Sequence, residues 1–309
     1  MLAILERTRR VALREPPAQL MRFVWHVSGK HQVILCVLSA MVFLLATLPL
    51  ELQRRLVNQA TVGAPFEPLL WLAGLYLAAA MAEGGTKFVM NVYRGWVGEK
   101  AVRWLRRCID RRVADKPDGT SASMMLSEAE PVAGFVAVSV SEPVLQIGLL
   151  GSVLGYLLFL QPKMAAVSIL ILVPQTVLVP FVQRAVNERI AKRIAVTREI
   201  GAGLVTGKKR GPLSILINRV FDLNFTIYKL KYGLNFSMNA LHHVGTAAVL
   251  GVGGWLVVNG QTEIGTVVAF VTGLAKVRDP WSDVINWFRD LSATKTRYKL
   301  LAKALGGAC

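Results

Sequence analysis

Charge is scarce in this chain, and negative charge scarcer still: 18% of 309 residues are charged, with 19 Asp and Glu against 36 Lys and Arg. A pair of ordinary soluble domains carries more charge and fewer apolar residues than the 53% found here, and mean hydropathy is +0.46, so a bilayer is the expected solvent. Gly and Pro are at ordinary levels, 26 and 13, which excludes a low-complexity or collagen-like chain. Cysteine is nearly absent. Cys36, Cys108 and Cys309 cannot make an even disulfide framework and are read as reduced thiols. Four histidines leave the pair His242 and His243 only His26 and His31 as possible further imidazole ligands, too few for a zinc site. No G-x-S-x-G elbow appears. A phosphate-cradling loop needs G-x-x-x-x-G-K-S/T, because backbone N–H groups hold the phosphates and the hydroxyl binds Mg²⁺. The nearest segment, Ala202 to Lys209, has Ala for the first Gly and Lys209 in place of the hydroxyl, so no direct cofactor, ATPase activity or other catalytic residue is expected. The N-terminus lacks a long apolar core with a small-residue cleavage site and does not read as a signal peptide.

What is present is apolar length. A spanning helix needs about 20 mainly apolar residues, and uncharged runs on that scale extend over His31–Leu50, Pro143–Pro162, Met164–Gln183 and Ala240–Val258. Two shorter runs, Pro68–Ala82 and Ile264–Ala275, are each followed closely by charges. Basic residues tend to stay on the cytoplasmic side of a membrane. With six spans, 33 of the 36 Lys and Arg lie before span 1, in Glu83–Glu142, in Arg184–Asn239, or from Lys276 onward. The other three are Arg54, Arg55 and Lys163. Omitting either short run would put a strongly basic segment on the opposite side. The expectation is therefore a plasma-membrane protein with both termini cytoplasmic. The net charge of +17 follows from that topology and calls for no nucleic acid. Residues 1–30, with Arg7, Arg9, Arg10 and Arg14 among apolar residues, read as an amphipathic helix on the inner surface. Residues 31–288 form the bundle and 289–309 a cytosolic tail, the whole 1–309 making one domain.

The two long inner segments have helical periodicity. Val182, Val186, Ile190 and Ile194 recur every four residues, as do Leu230 and Leu234 on the return arm. No proline interrupts the chain between Pro68 and Lys116, so span 2 can continue for about 70 Å, more than twice the hydrocarbon thickness. Turn chemistry ends each hairpin, at Pro117, Asp118 and Gly119 and at Gly207–Pro212. The fold class is thus all-α: a polytopic membrane protein with two long cytosolic helical hairpins.

Ionisable residues at membrane depth usually face a bundle interior or aqueous cavity. Lys276, Arg278, Asp279 and Asp283 follow the apolar part of span 6. Two readings stand: they line a pathway for a polar or anionic substrate, or Lys276 or Arg278 snorkels to the interface while Asp279 pairs locally. Gly148, Gly151 and Gly155, and Gly251, Gly253 and Gly254, read as close helix packing. Pro174 and Pro180 in span 4 are places where a helix could break.

Six spans, short outer loops, two long inner hairpins and a basic N-terminal helix together resemble the transmembrane domain of the ATP-binding-cassette exporters. The stretch Asn259–Leu300, with Gly265, Pro280 and Arg297, is similar to the family's sixth helix. Gly119 through Ser123, followed by Glu128 and Glu130, resembles the segment leaving the first coupling helix, and Ile215–Leu223 the second coupling region. The resemblance implies a permease subunit that works by alternating access. It also implies a second transmembrane domain in a homodimer or heterodimer, and ATP and Mg²⁺ bound on a separate nucleotide-binding ATPase subunit, since no such domain follows span 6 within these residues. Coupling contacts would then fall on Pro117, Asp118, Gly119, Ile215, Arg219, Phe221 and Asp222. Competing readings are an ion-coupled secondary transporter, which needs broken helices and midplane binding groups, and a non-transporting scaffold related to a shortened exporter.

Overall fold

The computed structural model describes residues 19–115, 129–205 and 210–304. Among these the chain is helical and contains no strand. Eight helices follow in order: α1 Leu20–Leu45, α2 Leu48–Thr61, α3 Phe66–Asp115, α4 Ala129–Val138, α5 Ser141–Leu160, α6 Pro162–Val205, α7 Arg210–Val258 and α8 Ile264–Ala304. The proline-free run forms one helix of 50 residues, α3, in agreement with the expected continuation of span 2.

Five helical stretches are long and apolar enough to cross a membrane: Leu20–Thr61, Phe66–Asp110, Ala129–Leu160, Pro162–Thr197 and Leu213–Val258. α8 is not among them. Its apolar part gives way at Lys276, Arg278 and Asp279 after only Ile264–Ala275, so length and hydropathy alone do not make it a span.

Three local features depart from plain helices. α1 is kinked at Ser28, whose φ and ψ are −138° and 15°. The freed geometry is stitched by side chains: Ser28 Oγ donates to the Val24 carbonyl at 2.9 Å, and Gln32 Nε2 donates to Ser28 Oγ at 3.0 Å and to the Val136 carbonyl of α4 at 2.7 Å. The kink falls close to the expected boundary between amphipathic lead-in and first span. A second break separates α4 from α5. Pro143 has no N–H to give the carbonyl of Ser139 four residues earlier, and that oxygen accepts instead from Trp287 Nε1 of α8 at 3.1 Å. The third is α2, which occupies a segment expected only as an outer loop. By contrast, Pro174 and Pro180 lie inside α6 without ending it.

The described helices belong to two compact units. The first is drawn from Met1–Leu52, Phe66–Val153 and Asp279–Cys309. Its main core joins α1, α3, α4 and α8 through Phe23, Val24, Leu105, Ala133, Val136 and Tyr298. Phe23 stacks obliquely on Tyr298, with centroids 4.9 Å apart. Further along, Leu35, Val42, Met90, Val97 and Leu145 form a smaller core, and Gly148 of α5 lies so close to Phe43 that a Cβ would enter the ring.

The second unit comprises Gln53–Pro65 and Leu154–Arg278. α6 and α7 pack along each other there. Gly253 meets Met164 and Val267, whereas Gly151, Gly155, Gly251 and Gly254 have open space where a Cβ would be, so close packing accounts for two of the six glycines. Two turns of this unit use a left-handed glycine after a helix. Gly63 has φ 74° and Gly260 φ 66°, and paired backbone bonds (Gly63 N to Ala60 O and Ala64 N to Gln59 O; Gly260 N to Val257 O and Gln261 N to Leu256 O) close each helix as a Schellman turn. The start of α8 is tied to α2. Arg54 Nη1 donates to Glu263 Oε2 at 3.0 Å, Asn58 Nδ2 donates to the same carboxylate, and the Gly265 N–H donates to Asn58 Oδ1 at 2.7 Å. A Cβ on Gly265 would collide with the Arg54 carbonyl and Asn58.

Candidate functional site

Within the first unit, four helices, α1, α3, α5 and α8, bring polar side chains together around the middle of α3 and the first turns of α5. Arg94 on α3 is only 9% exposed. Its Nε donates to Ser141 Oγ at 3.0 Å and its Nη1 to Glu142 Oε2 at 2.5 Å. Ser141 and Glu142 are available because Pro143 makes this the first turn of α5, where the preceding break exposes polar groups. Gln146, one turn further, gives its amide to Glu142 Oε1 at 2.7 Å and to Asp283 Oδ2 of α8 at 3.1 Å. Ser39 of α1 completes the ring by donating to the Ser141 carbonyl at 3.1 Å.

The electrostatics of this cluster are finely divided. A guanidinium this buried is costly unless paired and hydrogen-bonded; Glu142 and Ser141 supply the pairing, while Nη2 is buried with no partner among the described residues. On the other side, a single amide holds two carboxylates, Glu142 and Asp283, so one positive and two negative side chains share a continuous hydrogen-bonded path. Such an arrangement offers both hydrogen-bond donors and carboxylate acceptors within one connected group.

Of the four residues expected along a pathway, Asp283 takes part in this cluster. Asp279 belongs to the same unit, one turn earlier on α8. Lys276 and Arg278 belong to the second unit, where Arg278 Nη2 donates to Asn239 Oδ1. Arg94, Glu142 and Gln146 were not apparent from sequence. Their sequence signals are an arginine in the middle of a proline-free helix and Ser-Glu-Pro at a helix start, and neither indicates that residues 48 positions apart will pair.

The expected coupling residues divide in a different way. Pro117, Asp118 and Gly119 lie outside the described residues. Ile215, Arg219, Phe221 and Asp222 sit on the first turns of α7 and are exposed. Ile215 is 70% and Phe221 67% exposed, and Phe221 stacks on Phe225 with centroids 6.2 Å apart. No separate short helix interrupts α7 there. Among the described residues no group of three His, Cys, Asp or Glu could hold a metal ion.

No protein-family model matches this chain, and no curated protein sequence matches it either.

Proposed function

We propose that this chain is the permease subunit of an ATP-driven exporter, moving a polar substrate by alternating access while a separate nucleotide-binding subunit hydrolyses ATP. The observation that carries the reading is length. α3, α6, α7 and α8 contain 50, 44, 49 and 41 residues, or about 60–75 Å each at 1.5 Å per residue, against a hydrocarbon layer of about 30 Å. Helices this long reach well beyond a bilayer, and in the exporter family such extensions are levers that a motor moves.

The distribution of basic residues supports a topology in which those extensions lie on the cytosolic side with both termini, with α8 as a sixth crossing. A crossing helix with charges from Lys276 onward fits a position lining an aqueous space better than one facing lipid. Exposed Ile215 and Phe221 near the start of α7 supply an apolar contact for a motor, and Arg219 and Asp222 a polar rim. The unbroken course of α6 through Pro174 and Pro180 removes the feature that favoured an ion-coupled transporter. In this reading the Arg94–Glu142–Gln146–Asp283 path couples α8 to α3 and α5, with repartnering accompanying the change of access.

The test is purification of the tagged full chain in mild detergent from its native membrane, followed by an ATPase assay. The expected result is a co-purifying nucleotide-binding protein whose activity falls in the double variant Ile215→Ser, Phe221→Ser. Ion-driven uptake by this chain alone in proteoliposomes, or external labelling of a cysteine placed at Arg106, would overturn the reading.

A further inference from the structure

Where α1 and α3 meet, a second polar group has a different construction and no part in the proposed transport path. His31 Nδ1 is 2.6 Å from the Tyr93 hydroxyl, and Lys100 Nζ is 3.0 Å from His31 Nε2. A lysine ammonium can only donate, so Nε2 must accept and the ring proton resides on Nδ1. That N–H therefore donates to the Tyr93 oxygen, and the Tyr93 O–H is left to donate elsewhere. Lys100 uses one of its three N–H bonds on His31, and among the described residues no carboxylate pairs with it. The ammonium also lies over the Trp96 ring, 5.1 Å from its centroid, and Trp96 stacks on Tyr93 at 5.7 Å while remaining 49% exposed. Histidine thus sits between two donors, beside a Trp96 ring that is half exposed.

The depth of this group is set by helix length. Counted from Pro68, Tyr93 lies about 38 Å and Lys100 about 48 Å along α3; with about 30 Å of hydrocarbon and about 5–8 Å of headgroups on each side, Tyr93 falls at the outer edge of the headgroup zone and the Lys100 backbone about 10 Å beyond it. His31 opens the uncharged run of α1, which puts its end of the group at the boundary of the hydrocarbon. Side chains on a helix lean toward its N-terminus, so Lys100 reaches back toward the bilayer.

We propose that His31, Tyr93, Trp96 and Lys100 form a binding site for the phosphate of an anionic phospholipid headgroup, in the leaflet on the charged side of the protein. Lys100 and Tyr93 donate to phosphate oxygens, Trp96 covers the glycerol region, and His31 is a positioning residue. This site goes beyond the transport reading and does not depend on it.

Native mass spectrometry of the detergent-purified full chain, titrated with phosphatidylglycerol or with phosphatidylcholine of the same acyl chains, tests the site. The first phosphatidylglycerol is expected to bind about tenfold more tightly than phosphatidylcholine, whose phosphate is the same but whose choline ammonium brings a second cation beside Lys100. Lys100→Gln should abolish that preference, and Tyr93→Phe and Trp96→Leu should each reduce it. Arg103→Gln, the same charge change on an exposed neighbour, should leave it intact. An equal loss in Arg103→Gln would mean diffuse attraction and overturn the site. So would displacement of the lipid by an equimolar amount of inorganic phosphate, which would assign the donors to a soluble anion. If Lys100→Gln does not fold, the other two variants decide: unchanged preference in both defeats the proposal.

Discussion

The two halves of α3 bury their apolar residues in opposite ways. In the first half, Trp71 is 71% and Leu77 57% exposed, while in the second Leu105 and Ala101 are fully buried in the core with Phe23, Ala133 and Tyr298. A single helix with one hydrophobic rule would not do both. The second half carries Arg103, Arg106 and Arg107 on its outer face and hides its apolar stripe against α1, α4 and α8, as a helix in water must. The first half leaves large apolar groups uncovered because hydrocarbon is as good a solvent for them as protein. Burial thus differs along one helix that is long and apolar enough to cross a membrane, its first half uncovered and its second half packed.

The sharpest way to break this comparison is in the aqueous core. Tyr298→Ala removes a fully packed ring and should cost about 3–5 kcal/mol, seen as an early thermal transition in detergent; a shift no larger than that of a surface variant would mean the core is not load-carrying. Arg94→Ala, at the junction of the halves, should cost a comparable about 3–5 kcal/mol because Glu142 is left unpaired. The double change Arg94→Leu, Glu142→Leu should recover most of it in the same melt, and failure to recover would point to strain rather than charge. Leu77→Arg probes the lipid half. In hydrocarbon it should oppose insertion by about 3 kcal/mol, read as lost membrane integration in a translocon assay, whereas in water it would be neutral. In the second unit, Gly265→Ala should cost about 1–3 kcal/mol by overpacking against Arg54 and Asn58, measured by the same unfolding assay. Smallest is Trp71→Ala, with less than about 0.5 kcal/mol expected from a side chain exchanging protein-free contacts for lipid; a large destabilisation would show that another chain covers that face.

Much of the helix map was legible because helices obey local rules. The absence of proline between Pro68 and Lys116 let α3 run uninterrupted, since the interior of a helix pairs its own N–H and C=O groups. α2 was not anticipated, although Pro49 near its start and the run Leu50, Leu52, Leu56 are helix-compatible; the residues between the runs ending at Leu50 and starting at Pro68 read only as an outer loop. The break before α5 is visible in hindsight at Pro143, yet proline alone does not predict one, as Pro174 and Pro180 inside α6 demonstrate. The difference is tertiary: the Ser139 carbonyl accepts a hydrogen bond from Trp287 Nε1.

Composition, apolar run lengths and the placement of Lys and Arg by themselves determined that this chain is helical and built for a bilayer, because insertion depends on the transfer energy of each segment and little else. Only the folded arrangement decided that Arg94 pairs with Glu142, that Gln146 reaches Asp283 from 137 residues away, and that Lys100 and Tyr93 flank His31. Those pairings require helices distant in sequence to align at the same height, and side chains without a local partner take whichever partner that alignment brings within hydrogen-bonding reach.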